Sequence, residues 1–410
     1  MGRKLPKVLL AAGLTAVFFY FFARSVEWRK VPGYIADADL PLFLLLIPAA
    51  AVHFFTRAWR WQFLLAPKKA HLLFPGKCGH EGTIDIPPKT PIAEGDPSAA
   101  DGGTVGTGSR ERGGPGGMSI GNASWQRAPG NGRRTEKEGL RYRNLVAANI
   151  IGFTVNAVFP GRVGELAKPL YLARKEGLRT GYLVGTVVVE RMFDMFTMCL
   201  FLGLFLLARP LFHRAHPIEP AAYDRLTYWG VLGVVLAAAL LLLMLSLHFF
   251  RSRVMSLAGR LLKPSPAGFR DRAFGLLDEF SDGLKSFRSP GVLAGYTLLS
   301  FVVWVGIILF YWLLFAAYRV PVPFYLVVPY VFLTAVGASI PTPGMVGGFH
   351  YFSKLGMTSL LMVGADLAAG MTLVAHAVQI GVTCALGYAI LSSEGLTLFQ
   401  LRKMGEKDKR

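Results

Sequence analysis

The sequence predicts an all-α polytopic membrane protein with eight hydrophobic helical regions: about six full transmembrane helices and two re-entrant hairpins. Of the 410 residues, 53% are hydrophobic and only 17% are charged, whereas soluble domains carry about 25% charged residues. Apolar runs close to the ~20 residues that cross a bilayer core recur along the chain. No series of ~10-residue segments alternates in the way that an outer-membrane strand does. This pattern excludes a soluble globular enzyme.

The full spans follow from the apolar runs taken in order. The first two transmembrane helices are predicted within residues 1–74, near 5–24 and 40–66, and residues 140–392 form the core of the membrane domain. Within that core, full spans are predicted at 181–208, 228–250, 291–317 and 365–391. A helix satisfies its own backbone hydrogen bonds, so runs of this length cross as helices.

Two further regions, near 143–178 and 324–361, are interrupted by glycine and proline, and we predict that each is a re-entrant hairpin. Non-helical backbone at membrane depth is tolerated only inside protein or beside a water-filled cavity. Paired interruptions in the two halves of a membrane protein point to a substrate site near the bilayer midplane. The alternative is that both interruptions are ordinary turns between full spans.

Residues 75–139 break the hydrophobic pattern. They include 16 Gly and 7 Pro, and such a segment buries too little apolar surface to offset the entropy of ordering it. We predict a disordered cytoplasmic loop. Cys78 and the histidines near it match no zinc spacing, so no metal is expected. Residues 393–410 are predicted to be a basic cytoplasmic tail.

The charge distribution orients the helices. The formal net charge is +19, and the basic residues lie between the apolar spans. With both termini in the cytoplasm, 35 Lys and Arg fall on the cytoplasmic side and 8 on the other, as the positive-inside rule requires. The expected partner of this charge is the anionic lipid surface rather than nucleic acid.

The first interrupted region carries a candidate substrate-binding cluster. Its members are Asn156, Gly161, Arg162, Gly164, Glu165 and Lys168. The glycines permit close backbone approach, and the N-terminus of the following helix offers unpaired N–H groups. Arg162 and Lys168 would suit a phosphate, with Glu165 orienting Arg162 or carrying a proton. The simpler alternative is a helix-start turn whose basic residues face lipid headgroups.

Glu190, Arg191 and Asp194 lie inside a predicted span, where charges normally face partners or water. Glu190 and Asp194 are four residues apart and share a helix face. We expect a cation from the first hairpin, Arg162 or Lys168, to pair with them, while Arg191 points elsewhere. A structural or gating ion-pair network is the favoured interpretation; a proton relay and an interfacial charge cluster are the alternatives.

The second interrupted region contains a loop able to present its backbone to a polar ligand. Its candidate residues are Pro341, Pro343, Gly344, Gly347 and Gly348. The chain contains no Walker sequence, nucleophile elbow or dinucleotide fingerprint. We therefore expect no cofactor, no catalytic residue and no ATP-driven pump.

Four segments together resemble a known family. They are Arg57-Ala-Trp-Arg-Trp-Gln-Phe-Leu-Leu, Asn156-Ala-Val-Phe-Pro-Gly-Arg-Val-Gly-Glu-Leu-Ala-Lys-Pro, Val187-Val-Val-Glu-Arg-Met-Phe-Asp and Pro341-Thr-Pro-Gly-Met-Val-Gly-Gly-Phe. The chain resembles the flippase-like membrane proteins that share the transmembrane domain of lysylphosphatidylglycerol synthase. The resemblance implies a multi-pass protein of a bacterial or archaeal cytoplasmic membrane.

In the best-known relatives this domain moves an aminoacylated phospholipid between leaflets, and an appended soluble domain makes that lipid. The 410 residues leave no room for an aminoacyltransferase after the last helix, so we expect no synthase activity. Lys168 stands where many relatives have arginine, which keeps the charge but loses the planar fork.

Three functional hypotheses follow. The leading one is a flippase-like protein that moves or binds an anionic or phosphate-bearing lipid, or a lipid-linked precursor. The second is a non-catalytic membrane partner of a separate lipid-modifying synthase. The third is a membrane-embedded lipid transferase or hydrolase that uses Glu165 or Asp194 as a base.

Overall fold

The computed structural model describes residues 5–24, 26–65, 140–178, 180–212 and 290–397 and, with four single-residue gaps, 220–277. The predicted loop at 75–139 and most of the predicted tail at 393–410 lie outside the described residues. Every regular element within the described residues is helical, which confirms the predicted all-α class.

Helices of 6 to 42 residues follow one another along the described part of the chain. The helices are α1 (Leu5–Ala23), α2 (Val31–Ala36), α3 (Leu40–Leu65), α4 (Tyr142–Val158), α5 (Gly164–Glu176), α6 (Thr180–Phe212), α7 (Pro220–Leu261), α8 (Pro290–Ala317), α9 (Phe324–Ser339), α10 (Gly348–Leu360) and α11 (Ala365–Ser393). A 3₁₀ turn, Pro343–Met345, lies between α9 and α10.

Within the described part of the chain, four helices have the length and apolar composition needed to cross a bilayer. They are Leu40–Leu65, Thr180–Ala208, Gly291–Ala317 and Ala365–Ser393. Ala12–Ala23 and Phe324–Ser339 are shorter apolar helices. Helices also occupy the spans predicted at 5–24 and 228–250, but the count of six full spans stays a prediction.

Both interrupted regions fold as antiparallel helical hairpins closed by glycine contacts. In the first hairpin, α4 and α5, a Cβ added to Gly164 would lie 1.8 Å from the carbonyl oxygen of Gly152. In the second hairpin, α9 and α10, a Cβ added to Gly348 would lie 2.5 Å from the carbonyl oxygen of Gly337. Real Cβ atoms cannot approach this closely, so both crossings require glycine.

The loops that close the hairpins share a local fold. Residues 159–163, the first tip, contain Pro160-Gly-Arg-Val ahead of Gly164, and residues 340–347, the second tip, contain Pro343-Gly-Met-Val-Gly. The glycine and the residue after it are left-handed in both: φ is 82° and 54° at Gly161 and Arg162, and 58° and 61° at Gly344 and Met345. A positive φ is uncommon outside glycine, so the two tips form an internal structural repeat.

Each tip contacts the helix end next to the other tip. Arg162 Nη2 donates a hydrogen bond of 2.8 Å to the carbonyl oxygen of Ala338, at the end of α9. In return, a Cβ added to Gly344 would lie 3.1 Å from the carbonyl oxygen of Ala157, at the end of α4. The hairpins therefore converge on one place in the structure.

Two apolar clusters hold the hairpins in position. One packs the first hairpin against α3, α6 and α8 and includes Trp61, Ile151 and Tyr296. The other packs the second hairpin against α8 and α11 and includes Tyr330 and Met371. Each hairpin is thus buried in protein along one face.

Candidate functional site

A cavity of about 740 Å³ lies between the hairpins. Its polar wall comes mainly from the first hairpin and the facing turns of α3 and α6: Arg57, Asn156, Arg162, Glu165, Arg191 and Asp194. Its apolar wall comes largely from α6, α7, α9 and α10 and includes Met198, Leu232, Leu236, Phe332 and Leu360. A cavity with both kinds of wall suits an amphiphile.

Two carboxylates of α6, Asp194 in the polar wall and Glu190 behind it, are buried among cations. Arg57 Nη1 and Arg60 Nη1 each donate a hydrogen bond of 2.7 Å to Asp194. Glu190 accepts hydrogen bonds from Arg57, at 3.3 Å, and from Lys168. Buried charges are stable only when they are paired in this way, so the network fixes α3 and α5 against α6.

Arg191 completes the network from the same helix. Its Nε donates a hydrogen bond of 2.7 Å to Glu165 in α5, and its Nη1 lies 3.5 Å from Asp194 Oδ2. The expectation that Arg191 points elsewhere is wrong. Its long side chain reaches the carboxylate three residues ahead, a distance at which helical residues are neighbours.

Arg57 and Arg60 belong to the site, although the sequence indicated them only as part of a segment that resembles the family. Arg60 is fully buried and also donates to Ser300 Oγ at 3.1 Å. The sequence could have predicted their role, because two arginines three residues apart inside an apolar span need internal partners.

Lys168 belongs to the ion-pair network around Glu190 and does not line the cavity. Its side chain is 3% exposed and pairs with Glu190. Its ammonium lies 4.2 Å from the centroid of the Trp61 ring, a cation–π contact. It is absent from the described residues that line the cavity, so it contributes to the ion-pair network and not to the cavity wall.

Arg162 is the cation that faces the cavity without a carboxylate. It lines the cavity and donates to the carbonyl oxygen of Ala338. Among the described residues, no carboxylate oxygen lies within ion-pair distance of its guanidinium. The other cations, Arg57, Arg60, Lys168 and Arg191, share three carboxylates. Counting Arg162 as well, the five cations and three acids leave a formal charge of +2.

The helix N-terminus of α5 does not supply free donors. Asn156 Oδ1 accepts the N–H of Gly164 at 2.8 Å. The next three N–H groups bond to the carbonyl oxygens of Arg162 and Val163. The expected anion site on these N–H groups is therefore occupied by the protein itself, and Asn156 acts as the cap of α5.

The second tip places different residues at the cavity from those predicted. Thr342 and Met345 line it. Gly344 packs on the carbonyl oxygen of Ala157, and a Cβ added to Gly347, where φ is 91°, would lie 2.8 Å from the carbonyl oxygen of Thr15. Pro341 and Pro343 shape the turn on either side of Thr342. Gly348 serves the glycine crossing with Gly337.

The model of the lysylphosphatidylglycerol synthase TM region matches residues 134–387 of the chain. This match covers more than half of the sequence, so the chain belongs to that family and is a membrane protein. It takes in both hairpins and the charged turns of α6, and it begins after Arg57 and Arg60. Searches of curated proteins and of solved structures found no significant match.

Proposed function

We propose that the protein is a flippase-like transporter that binds an anionic lipid headgroup at Arg162 and moves the lipid between leaflets. The observation that carries the proposal is the position of Arg162, which faces a cavity without a carboxylate partner. A guanidinium there would bind a phosphate through charge-assisted hydrogen bonds. The surplus of positive charge in the site favours an anion over a zwitterion or a cation.

The apolar wall supports a lipid rather than a soluble anion. Met195 in α6 and Leu232 and Leu236 in α7 line the cavity and are about half exposed. An acyl chain leaving the cavity between α6 and α7 would pass over these side chains and enter the membrane. A soluble phosphate would gain nothing from this wall.

Helix lengths support the proposed re-entrant hairpins. α4 has 17 residues and α5 has 13, and α9 and α10 have 16 and 13. At 1.5 Å per residue, 13 residues extend about 20 Å, short of the ~30 Å core. We also propose a cytoplasmic-membrane location with both termini in the cytoplasm, from the distribution of Lys and Arg.

The ion pairs argue against the enzymatic alternative. Glu165 is held by Arg191, and Asp194 is held by three arginines. The oxygens of both carboxylates are thus engaged by cations, which favours a structural role over that of a general base. The partner-protein hypothesis has no comparable observation in its favour, and native mass spectrometry of the purified protein tests it.

Replacing Arg162 with glutamine is expected to reduce retention of anionic lipid by at least about 10-fold, the loss associated with a charge-assisted hydrogen bond. Native mass spectrometry of the detergent-purified protein would measure this against the bulk lipid composition. Arg174→Gln is the matched control, because Arg174 lies on the exposed surface of the same hairpin. It should retain lipid like the wild type.

Equal retention in Arg162→Gln and the wild type would reject the headgroup site. If the wild type enriches no lipid class, and a soluble lipid-modifying enzyme copurifies with it, the partner-protein hypothesis would replace the transporter.

A further inference from the structure

The second tip is held by a histidine side chain at the start of α10. The N–H of Gly347, the last residue of the tip, donates a hydrogen bond of 3.4 Å to Nδ1 of His350. Because Nδ1 accepts, the imidazole is neutral and carries its proton on Nε2. Gly347 has a φ of 91° and packs against the backbone of Thr15 in α1. The hydrogen bond therefore closes a turn whose backbone has little room to adjust.

The ring of His350 lies in apolar surroundings. It is 4% exposed. Three aromatic rings from α1 and α10 have centroids between 5.2 and 6.2 Å away: Phe19, Phe22 and Phe349. From α9, the hydroxyl of Tyr330 is bonded to Ser353 at 2.9 Å. None of the ion pairs among the described residues includes His350, so its neutral form suits this arrangement.

The charged and titratable groups near His350 do not favour a positive charge on it. They are Lys354 on α10, His376 and Asp366 on α11, and Arg24 after α1. The buried ammonium of Lys354 is one helical turn away and donates to the carbonyl oxygen of Phe22. The ring centroid of His376 is 4.6 Å away. The carboxylate of Asp366 already accepts the N–H of Glu27 at 2.8 Å.

We propose that His350 is a proton-binding site whose occupancy controls the second tip and, through the tip, the anion site at Arg162. The proton comes from water. A protonated imidazole has N–H on both nitrogens, so Nδ1 no longer accepts and the N–H of Gly347 loses its partner. Protonation therefore favours a second arrangement, in which the tip has moved away from His350. This inference rests on the proposed function and adds the regulation of its ligand site.

The second tip connects His350 to the cavity over a few residues. Two residues of the tip, Thr342 and Met345, line the cavity. Ala338, two residues ahead of the tip, accepts the hydrogen bond of Arg162 at 2.8 Å. A displacement of the tip thus changes both the cavity wall and the support of the guanidinium. Proton binding and anion binding then oppose each other, and the opposition is reciprocal.

The pH dependence has a definite sign. The arrangement with neutral His350 holds Arg162 on Ala338, so anion binding is strongest at high pH and is lost as the pH falls. Free histidine has a pKa of about 6.5, so a histidine that charges in only one of two states shifts their equilibrium by up to about 10-fold between about pH 8 and about pH 5.5. A phosphodiester keeps its charge over this range and contributes no pH dependence of its own.

The test is retention of phosphatidylglycerol by the delipidated full-length protein, measured by native mass spectrometry at about pH 8 and about pH 5.5, on either side of the ordinary histidine pKa. Retention by the wild type is expected to fall about 3- to 10-fold at the lower pH. A second readout needs no lipid: hydrogen–deuterium exchange of residues 340–347, corrected for the intrinsic effect of pH. Exchange by the wild type should be faster at the lower pH.

His350→Asn is the deciding variant, because the amide oxygen of asparagine accepts a hydrogen bond but does not titrate. Its retention and its exchange should not depend on pH. His350→Phe keeps a ring without an acceptor, and it should retain little lipid at either pH. His53→Asn is the matched control, because the ring of His53 in α3 packs on Phe54 and Phe153 rather than on the second tip. It should show the pH dependence of the wild type.

The outcomes separate the two proposals, with thermal unfolding as the check that each variant is folded. A wild type without pH dependence, or pH dependence that persists in His350→Asn or disappears in His53→Asn, would reject the proton site and leave the headgroup site standing. High retention by His350→Phe at both pH values would reject the coupling through Gly347. If exchange depends on pH in the wild type but not in His350→Asn, and no anionic lipid is retained at either pH, the proton site stands and the proposed function fails.

Discussion

Replacing Asp194 with asparagine is expected to destabilise the protein by about 3–5 kcal/mol, the cost of removing one partner from a buried ion pair. Asp194 receives hydrogen bonds of 2.7 Å from both Arg57 and Arg60 and lies 3.5 Å from Arg191. Asparagine keeps the shape but removes the charge. Three buried or half-buried guanidinium groups would then share the two remaining carboxylates of the network, which also hold Lys168.

Thermal unfolding in detergent would measure this effect. Glu27→Gln is the control, because Glu27 pairs with Lys30 at the surface, where the two side chains are 68% and 55% exposed. An exposed pair contributes about 0–1 kcal/mol, so the control should unfold near the wild-type temperature. If Asp194→Asn and Glu27→Gln unfold at the same temperature, the network does not hold α3 against α6.

Replacing Gly164 with alanine is expected to cost about 3 kcal/mol, at the upper end of the usual range for overpacking. The added methyl group would lie 1.8 Å from the carbonyl oxygen of Gly152 and 2.7 Å from Asn156 Oδ1. A backbone oxygen cannot rotate away as a side chain can, so α4 and α5 must separate. Their separation would also displace Arg162, so both the melting temperature and the retention of lipid should be lower than in the wild type.

The matched control is Gly306→Ala in α8, where an added Cβ meets no atom within 4 Å. Alanine there should be neutral or stabilise the helix by about 0.5–1 kcal/mol. Similar melting temperatures for the two alanine variants would contradict the close glycine crossing in the first hairpin.

The positions of the helices and hairpins could be predicted from the sequence. Apolar runs of about 20 residues or more predict the long helices. The interruptions at Pro160 and Pro341 predict the tips, because proline and paired glycines end helices locally. The pairing of Lys168 with Glu190 also agrees with the expectation that a cation from the first hairpin would meet the carboxylates of α6.

The partners of most of the charged side chains could not be predicted from the sequence. Arg57 and Asp194 are 137 residues apart in sequence, and Arg162 bonds to a carbonyl oxygen 176 residues away. Such contacts depend on which helix faces pack together, which residue spacing within one helix does not determine. The repeat of Pro-Gly-x-Val-Gly in the two tips could have been found by comparing the halves of the chain, and it would have directed attention to Met345.

The most direct test of the transporter proposal is lipid translocation in phosphatidylcholine vesicles that carry a trace of fluorescent phosphatidylglycerol. With the wild type reconstituted, we predict that quencher-accessible fluorescence exceeds the outer-leaflet share in protein-free vesicles, and that Arg174→Gln behaves in the same way. We predict that Arg162→Gln moves the lipid at about one tenth of the wild-type rate or less. Equal rates for Arg162→Gln and the wild type, or no translocation by the wild type, would contradict transport of an anionic lipid through this cavity.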